Sequence, residues 1–342
     1  MSRRSAVSAR GRNEQNRCCV RFLLAVSLFG LLFLPCKPLA HAQSVPPARE
    51  QEHPYSITSE VNLVVLPATV TDREGRFVSG LGADNFRIFD HGQQQKITLF
   101  RAEDAPVTVA IVVDHSSSMA RMSSQVVAGA MALTEAGNPQ DQTFVVNFND
   151  KARLGLPDGD AFTSQPEEIR AALSNMQPRG RTALYDALAL ALDHLREGSA
   201  EKKVLLLISD GGDNASRHSF AQVQRAAEES NTMIYAIGLF DPTDADQNPG
   251  VLKRLAQITG GRAYFPATDQ EVVELCRRIA ADIRHQYTLG FSPPNLEAAG
   301  KYRQIRLSVA APGRGRLIVR TRPGYMAPPA SGSVSAFWPR GN

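Results

Sequence analysis

Apolar runs alternate with amphipathic segments through the middle of the chain. The apolar runs have strand length and are apolar on both faces, which is typical of strands buried in a parallel sheet; they lie at 107–113, 143–148, 203–209, 233–240 and about 262–265. The amphipathic segments have helical spacing and lie near 118–136, 167–176, 184–196, 219–230, 250–259 and 269–286. This pattern predicts an α/β domain over 105–286, with a doubly wound, mostly parallel, Rossmann-like sheet and helices on both faces.

Shorter strand-like patterns flank this domain. Residues 57–100 and 287–326 hold short alternating segments separated by Gly, Pro and Asp turns. Neither flank is large enough to bury a sheet alone. Because the two ends of a domain often meet in space, we expect the flanks to pack together as a smaller β-sandwich. Residues 43–56 and 327–342 have the polar, Pro-bearing composition of a flexible entry and a disordered tail.

The first 42 residues have the pattern of a secretory signal peptide. Six arginines precede an apolar run from Phe22 to Leu34, and a small-x-small cleavage sequence follows at 40–42. The run has 13 residues, fewer than the ~18 that a spanning helix needs. We therefore expect export to the periplasm or the medium, a mature protein that begins at Gln43, and no membrane span in the mature chain. A retained signal anchor is the alternative.

Removal of the signal segment changes the charge balance. The whole chain has 38 Lys and Arg against 34 Asp and Glu, and residues 1–42 hold seven of the basic residues and one of the acidic ones. The remainder has 31 basic and 33 acidic residues, a net charge of −2. The basic character thus belongs to the targeting segment, and the composition gives no ground to expect nucleic acid as a partner.

Polar oxygen groups follow two of the apolar runs. Asp114-x-Ser116-x-Ser118 comes directly after the first run, Asp210 after the third, and Thr182 lies in a loop at the start of a helix. Ligand sites of open α/β sheets gather at the carboxyl ends of strands. Carboxylate and hydroxyl oxygens suit a hard divalent cation such as Mg²⁺. The alternative is that these residues only cap helix N-termini.

Together the three segments resemble the von Willebrand factor type A domain with its metal-ion-dependent adhesion site. That site uses an Asp-x-Ser-x-Ser sequence, a loop Thr and a later Asp, which in this chain are Asp114, Ser116, Ser118, Thr182 and Asp210. The resemblance implies that the hydroxyls bind the cation directly and the carboxylates bind directly or through water. It also implies Mg²⁺ as the cation, with Mn²⁺ or Ca²⁺ as alternatives, and a partner protein whose Asp or Glu carboxylate completes the shell.

The flanks extend the resemblance. Val-Thr-Asp72-x-x-Gly75 and Arg322-Pro-Gly-Tyr325 are similar to sequences in bacterial exported proteins with related domains. The family resemblance also implies an antiparallel edge strand at 152–156. One departure is the Gly180-Arg-Thr182 loop, which is shorter between Gly and Thr than many loops of the family.

These observations predict an exported, Mg²⁺-dependent protein-binding module for adhesion or interaction, and not an enzyme. A metal-assisted hydrolase is one alternative, and its general base would have to be Asp213 or His115, of which we expect His115 to be exposed on a loop. A structural envelope protein without a metal role is the other alternative. The identity of the partner and the oligomeric state do not follow from the sequence.

Overall fold

The computed structural model describes residues 63–102, 104–240, 246–268, 270–293 and 300–327. All of them belong to one compact unit, 58–342. The predictions for the signal segment 1–42, the entry 43–56 and the tail after residue 327 lie outside the described residues. None of the helices in the described ranges has both the length and the apolar character that crossing a bilayer requires.

The strands of the described residues are numbered in chain order. They are β1 (Val64–Thr71), β2 (Phe86–Asp90), β3 (Gln93–Gln95), β4 (Leu99–Arg101), β5 (Val107–Asp114), β6 (Gln142–Phe148), β7 (Ala152–Leu154), β8 (Lys202–Ser209), β9 (Thr232–Gly238), β10 (Ala263–Tyr264), β11 (Tyr287–Phe291), β12 (Tyr302–Val309), β13 (Ile318–Arg320) and β14 (Gly324–Met326). The α-helices are α1 (Ser123–Glu135), α2 (Pro166–Ser174), α3 (Leu184–His194), α4 (Phe220–Glu229), α5 (Pro249–Thr259) and α6 (Glu271–Arg284).

A six-stranded sheet forms the centre of the α/β domain, in the order β10-β9-β8-β5-β6-β7. Its strands are parallel except β7, which pairs antiparallel with β6. Every residue of β5 is buried, because helices cover both faces of the sheet and a parallel strand in its middle has no solvated side. The predicted fold class is confirmed, and the antiparallel edge strand spans Ala152–Leu154.

The neighbouring positions of β5 and β8 determine where the polar residues lie. Val113 of β5 is opposite Ile208 of β8, so Asp114 and Asp210 emerge at the same edge of the sheet. The chain after β5 first forms a 3₁₀ turn, Ser117–Met122, and only then α1. The helix predicted from residue 118 therefore starts five residues later, because residues 117–122 take the tighter 3₁₀ form.

The two flanks pair with each other in two four-stranded sheets, β13-β1-β11-β4 and β14-β12-β2-β3. In the first sheet Leu66 of β1 is opposite Leu289 of β11, and in the second Ile88 of β2 is opposite Leu307 of β12. Apolar side chains from both sheets fill one core, separate from that of the α/β domain. The flanks thus form an antiparallel β-sandwich with a shared interior.

The α/β domain is inserted between β4 and β11 of this sandwich. These two strands are antiparallel neighbours, with Phe100 opposite Leu289, so the chain leaves and re-enters the sandwich side by side. Buried contacts fix the junction: Thr69 of β1 donates to Asp282 of α6 at 2.6 Å, and Arg320 of β13 forms an ion pair with the same carboxylate. The insertion is therefore anchored by a partly buried charge pair as well as by two covalent links.

Truncation after residue 286 should unfold the first flank while leaving the α/β domain folded. It removes β11 and β12, the partners of β1 and β2, and exposes two strand edges. Hydrogen exchange should show lost protection of the β1 and β2 amides and retained protection of β5 and β8. Truncation after Ala327, which keeps every described strand, is the matched control. If β1 and β2 stay equally protected in both proteins, the sandwich does not depend on the second flank.

Candidate metal centre

Asp114, the last residue of β5, is fixed from two sides. Its Oδ1 accepts a hydrogen bond from the Ser116 backbone N–H at 2.8 Å. Its Oδ2 accepts one from the hydroxyl of Ser209, at the end of β8, at 2.7 Å. Only 2% of Asp114 is exposed. The carboxylate is therefore held in one orientation at the edge of the sheet.

Asp210 extends this arrangement from the neighbouring strand. Its Oδ2 accepts from the Ser118 hydroxyl at 2.7 Å, and the hydroxyls of Ser116 and Ser118 are 3.1 Å apart. The turn after Asp210 depends on Gly211, which has a φ of 82° and where a Cβ would lie 2.4 Å from the Asn248 carbonyl oxygen. Four of the five predicted residues, Asp114, Ser116, Ser118 and Asp210, thus belong to one hydrogen-bonded cluster, which we call the carboxylate–serine cluster.

Thr182 lies in the neighbouring loop. Its backbone N–H donates to the Asn214 side chain at 2.9 Å and its carbonyl accepts from the Asn214 N–H at 2.9 Å. The backbone N–H and hydroxyl of Ser117 both donate to the Gly180 carbonyl, at 3.3 and 3.1 Å, which holds this loop beside the turn of the cluster. Within the described residues the Thr182 hydroxyl makes no hydrogen bond. The structure thus brings the Thr182 loop to the cluster, without a hydrogen bond between the Thr182 side chain and the cluster among the described residues.

Helix capping does not account for Thr182. The N-cap of α3 is Ala183, which forms no side-chain cap. The first amides of α3 are capped from another loop: Tyr185 N–H donates to Asp213 at 3.2 Å and Asp186 N–H donates to Ser216 at 3.1 Å. Ser116 occupies the N-cap of the 3₁₀ turn but also forms no side-chain cap. Asp114 accepts a hydrogen bond from the Ser116 N–H, just before the 3₁₀ turn begins. The capping alternative is therefore supported only at Asp114.

The expectation of an exposed His115 was wrong. Only 4% of the residue is exposed, and its Nε2 is 3.0 Å from the Asn147 side-chain oxygen. The His115 N–H donates to the Phe148 carbonyl at 2.7 Å, which continues the parallel β5–β6 ladder past Asp114. Burial lowers the pKa of His115 and favours the neutral ring. The ring therefore fills space beneath the site.

Ser209 is a site residue that the sequence patterns did not single out. Its hydroxyl is fully buried and donates to Asp114 while accepting from the Gly211 N–H at 3.0 Å. The sequence signal that could have identified Ser209 is a serine at the end of an otherwise apolar run. Asn214, which fixes the backbone of Thr182, carried no comparable signal because its role depends on a contact between distant loops.

The electrostatics of the cluster favour a cation. Burial raises the pKa of Asp114 to about 7, and the charge of Asp210 adds to the increase. Among the described residues, the groups that act on the Asp114 carboxylate are Asp210, Ser116 and Ser209, none of them a cation. The described residues hold no group of three His, Cys, Asp or Glu that could bind a metal, so the hydroxyls would have to contribute. Two carboxylates supplemented by hydroxyls are a donor set that a hard divalent cation accepts. The residues present therefore fit Mg²⁺.

The family model of the von Willebrand factor type A domain matches residues 108–278, half of the 342 residues. The chain belongs to this family. The match covers β5 to the middle of α6, so it contains all five candidate ligands and none of the sandwich strands. The sequence resemblance to the von Willebrand factor type A (VWA) domain is thereby confirmed.

Solved structures with similar folds come from several bacteria. A von Willebrand factor type A protein from Catenulispora acidiphila is 13% identical, with a TM-score of 0.47 over 78% of this chain and 74% of that one. BatB from Bacteroides thetaiotaomicron is 18% identical, with a TM-score of 0.41 over 52% and 98%. The vWF domain of the type V pili tip protein Mfa5 from Porphyromonas gingivalis is 15% identical, with 0.43 over 53% and 96%. Among curated proteins, none matches this chain.

The stability of the metal-free protein should fall as the pH rises from about 4 to 7. The pKa of Asp114 is about 7 in the folded protein, against 3.8 for an unperturbed Asp side chain, so the folded state binds more protons than the unfolded state in this range. Asp114→Asn removes the charge and should flatten the dependence, which urea unfolding of metal-free protein at several pH values would measure. Asp158→Asn, at an exposed position, is the control. Parallel profiles of wild type and Asp114→Asn would refute the burial of an uncompensated charge.

Proposed function

We propose that this chain is an exported, Mg²⁺-dependent protein-binding module that docks a carboxylate of its partner on the candidate metal centre. The supporting observation is the carboxylate–serine cluster at the carboxyl edge of the sheet of a VWA domain, with a buried Asp114 that has no cationic partner among the described residues. Mn²⁺ and Ca²⁺ are the alternative cations.

Five side chains would hold the cation: the hydroxyls of Ser116, Ser118 and Thr182 and the carboxylates of Asp114 and Asp210. When bound, the cation would supply a positive centre able to accept an Asp or Glu carboxylate from another protein. Hydrogen bonds from Ser118, Ser209 and backbone N–H groups draw negative charge density away from the two carboxylates. Since the other three ligands are neutral hydroxyls, the divalent cation would keep part of its positive charge. A further anionic ligand is then favoured.

Other residues of the chain give this site its rigidity. Ser209 orients Asp114, and Asn214 anchors the loop of Thr182. Preorganised ligands lose little conformational freedom on binding, which favours affinity. The surrounding loops, such as 178–183 and 211–216, would then determine which partner is recognised.

The hydrolase alternative is less well supported. Asp213 caps α3 and accepts from the Ser216 hydroxyl at 2.5 Å, while His115 is buried against Asn147. Both candidate general bases are therefore engaged in holding the structure. Export to the periplasm or the medium rests on the signal-like pattern of residues 1–42, and we propose it on that basis.

Thr182→Val should reduce the stabilisation that Mg²⁺ confers. A ligand that binds only the folded state adds about 2.7 kcal/mol at 100 times its Kd, so a weaker site gives a smaller rise in the free energy of unfolding at the same Mg²⁺ concentration. Thermal melts across a Mg²⁺ titration would measure this effect. Without metal the variant should melt close to wild type, because the Thr182 hydroxyl has no hydrogen bond to lose within the described residues.

Ser216→Ala is the matched control for that titration. Ser216 caps α3 in the neighbouring loop, so its loss should cost about 1 kcal/mol equally with and without Mg²⁺. Identical Mg²⁺-dependent shifts in wild type and Thr182→Val would remove Thr182 from the site. A folded wild type that shows no shift at all would contradict the metal-dependent function.

Partner capture should depend on the cation and on carboxylates of the partner. Mature protein immobilised in Mg²⁺ should retain a protein from the native envelope and release it on addition of chelator. Asp114→Asn should retain none, whereas Asp158→Asn should behave as wild type. Amidation of the extract's carboxylates before capture should abolish retention. Retention that survives both chelator and Asp114→Asn would contradict docking on the metal.

A further inference from the structure

A cleft lies at the end of the central sheet opposite the candidate metal centre. It has a volume of about 470 Å³ and opens where the amino ends of β5, β6 and β8 meet β4 and β11. Because parallel strands place their amino ends at one edge and their carboxyl ends at the other, the cleft is separated from the carboxylate–serine cluster by the length of the sheet.

Lys202, the first residue of β8, lines this cleft and is buried, with 4% of the residue exposed. Its Nζ donates to the Gln286 carbonyl at 3.3 Å, and within the described residues no carboxylate lies within ion-pair distance of it. A buried lysine is normally paired. Desolvation lowers the pKa of Lys202, whereas Asp104, Asp141 and Glu201 raise it from a longer range. The ammonium thus retains donors that this part of the chain does not use.

Thr288 of β11 provides a second unused donor. It also lines the cleft, with 1% of the residue exposed, and its hydroxyl has no hydrogen-bond partner in the described structure. Buried hydroxyls without a hydrogen-bond partner are rare, because no bond within the protein then replaces the hydrogen bonds to water that burial removes. Thr288 lies two residues after Gln286, whose carbonyl accepts from Lys202 Nζ. The Lys202 ammonium and the Thr288 hydroxyl are therefore both brought to the segment 286–288.

Four other polar residues of the cleft have partners within the protein. The Gln142 side-chain oxygen accepts from the backbone N–H and the hydroxyl of Ser199, at 2.8 and 3.0 Å. At the mouth, Arg101 and Glu201 form an ion pair at 2.9 Å, with their side chains 49% and 48% exposed. Their charges cancel, and the remaining charge of the lining side chains is that of Lys202.

We propose that this cleft binds a small oxyanion, a carboxylate or a phosphate group, which accepts hydrogen bonds from Lys202 Nζ and Thr288 Oγ1. An oxyanion compensates the buried ammonium and satisfies the buried hydroxyl with one group, which no neutral apolar ligand does. The volume is of the size that small-molecule sites have. The proposal does not depend on metal binding, because none of the candidate metal ligands lines the cleft.

Melting temperatures of the mature protein, freed of metal by chelator and then desalted, would test the site. Sodium phosphate and sodium succinate are titrated separately against sodium chloride at equal ionic strength. We expect one of the two anions to raise the melting temperature in a saturable manner, and the effective anion then identifies the ligand as phosphate-like or carboxylate-like.

Lys202→Met and Thr288→Val should each weaken the effective anion by about tenfold or more, the size of a lost hydrogen bond to a charged group. Lys203→Met is the matched control, because this adjacent lysine does not line the cleft and donates to the Leu195 carbonyl at 2.6 Å. Thr288→Val removes no hydrogen bond made within the described structure, so this variant should fold. It therefore tests anion binding even if Lys202→Met does not fold. The proposal is wrong if neither anion stabilises the protein beyond chloride, or if Thr288→Val responds as wild type does.

Discussion

The burial of Asp114 beside Asp210 is the electrostatic constraint on which the functional end of this protein depends. Two carboxylates at one sheet edge repel each other, and burial of Asp114 adds a desolvation cost that raises its pKa. The fold offsets part of this cost with donors from Ser209, Ser118 and the Ser116 N–H. A divalent cation would offset the rest. The same interaction therefore links stability, pH and the proposed metal binding.

The surrounding loops are arranged around this pair of carboxylates. Asp213 and Ser216 cap α3 from the loop after β8, and Asp186 of α3 in return accepts from the Arg217 and His218 N–H groups. This reciprocal capping connects the loop that follows Asp210 with the helix that follows Thr182. Because these hydrogen bonds connect the two loops, we expect a partner that contacts one of them to affect the other.

The opposite end of the VWA domain is held by the sandwich. Because the domain is inserted between the adjacent strands β4 and β11, α6 leads directly into a sandwich strand. Asp282 of α6 is buried and is paired with the partly exposed Arg320 of β13, so loss of Arg320 would leave a buried charge uncompensated. The cleft with Lys202 lies at this same junction, so buried charges occur at both ends of the central sheet but are compensated differently.

The order of strands and helices could be predicted from the chain because their signals are local. The apolar run of β5 and the amphipathic pattern of α3 are periodicities read within a dozen residues, and they predicted the fold class correctly. The family was predicted from the resemblance of the polar motifs, and the family model confirms it. The Asp-x-Ser-x-Ser motif was also found from local spacing, whereas Thr182 and Asp210 were matched to the site through the family resemblance. The role of all five residues as metal ligands remains a proposal. The antiparallel edge strand β7 was predicted through the family resemblance, since three residues carry little pattern of their own.

Long-range pairing accounts for what the local patterns did not contain. The burial of His115 depends on β6, the orientation of Asp114 on Ser209 of β8, and the anchoring of Thr182 on Asn214, each a contact over about thirty residues or more. The unused donors of Lys202 and Thr288 became apparent only when β8 and β11 were brought to one cleft. Sequence periodicity reports which face of an element is buried, whereas the partner that a buried polar group meets is set by how the elements pack.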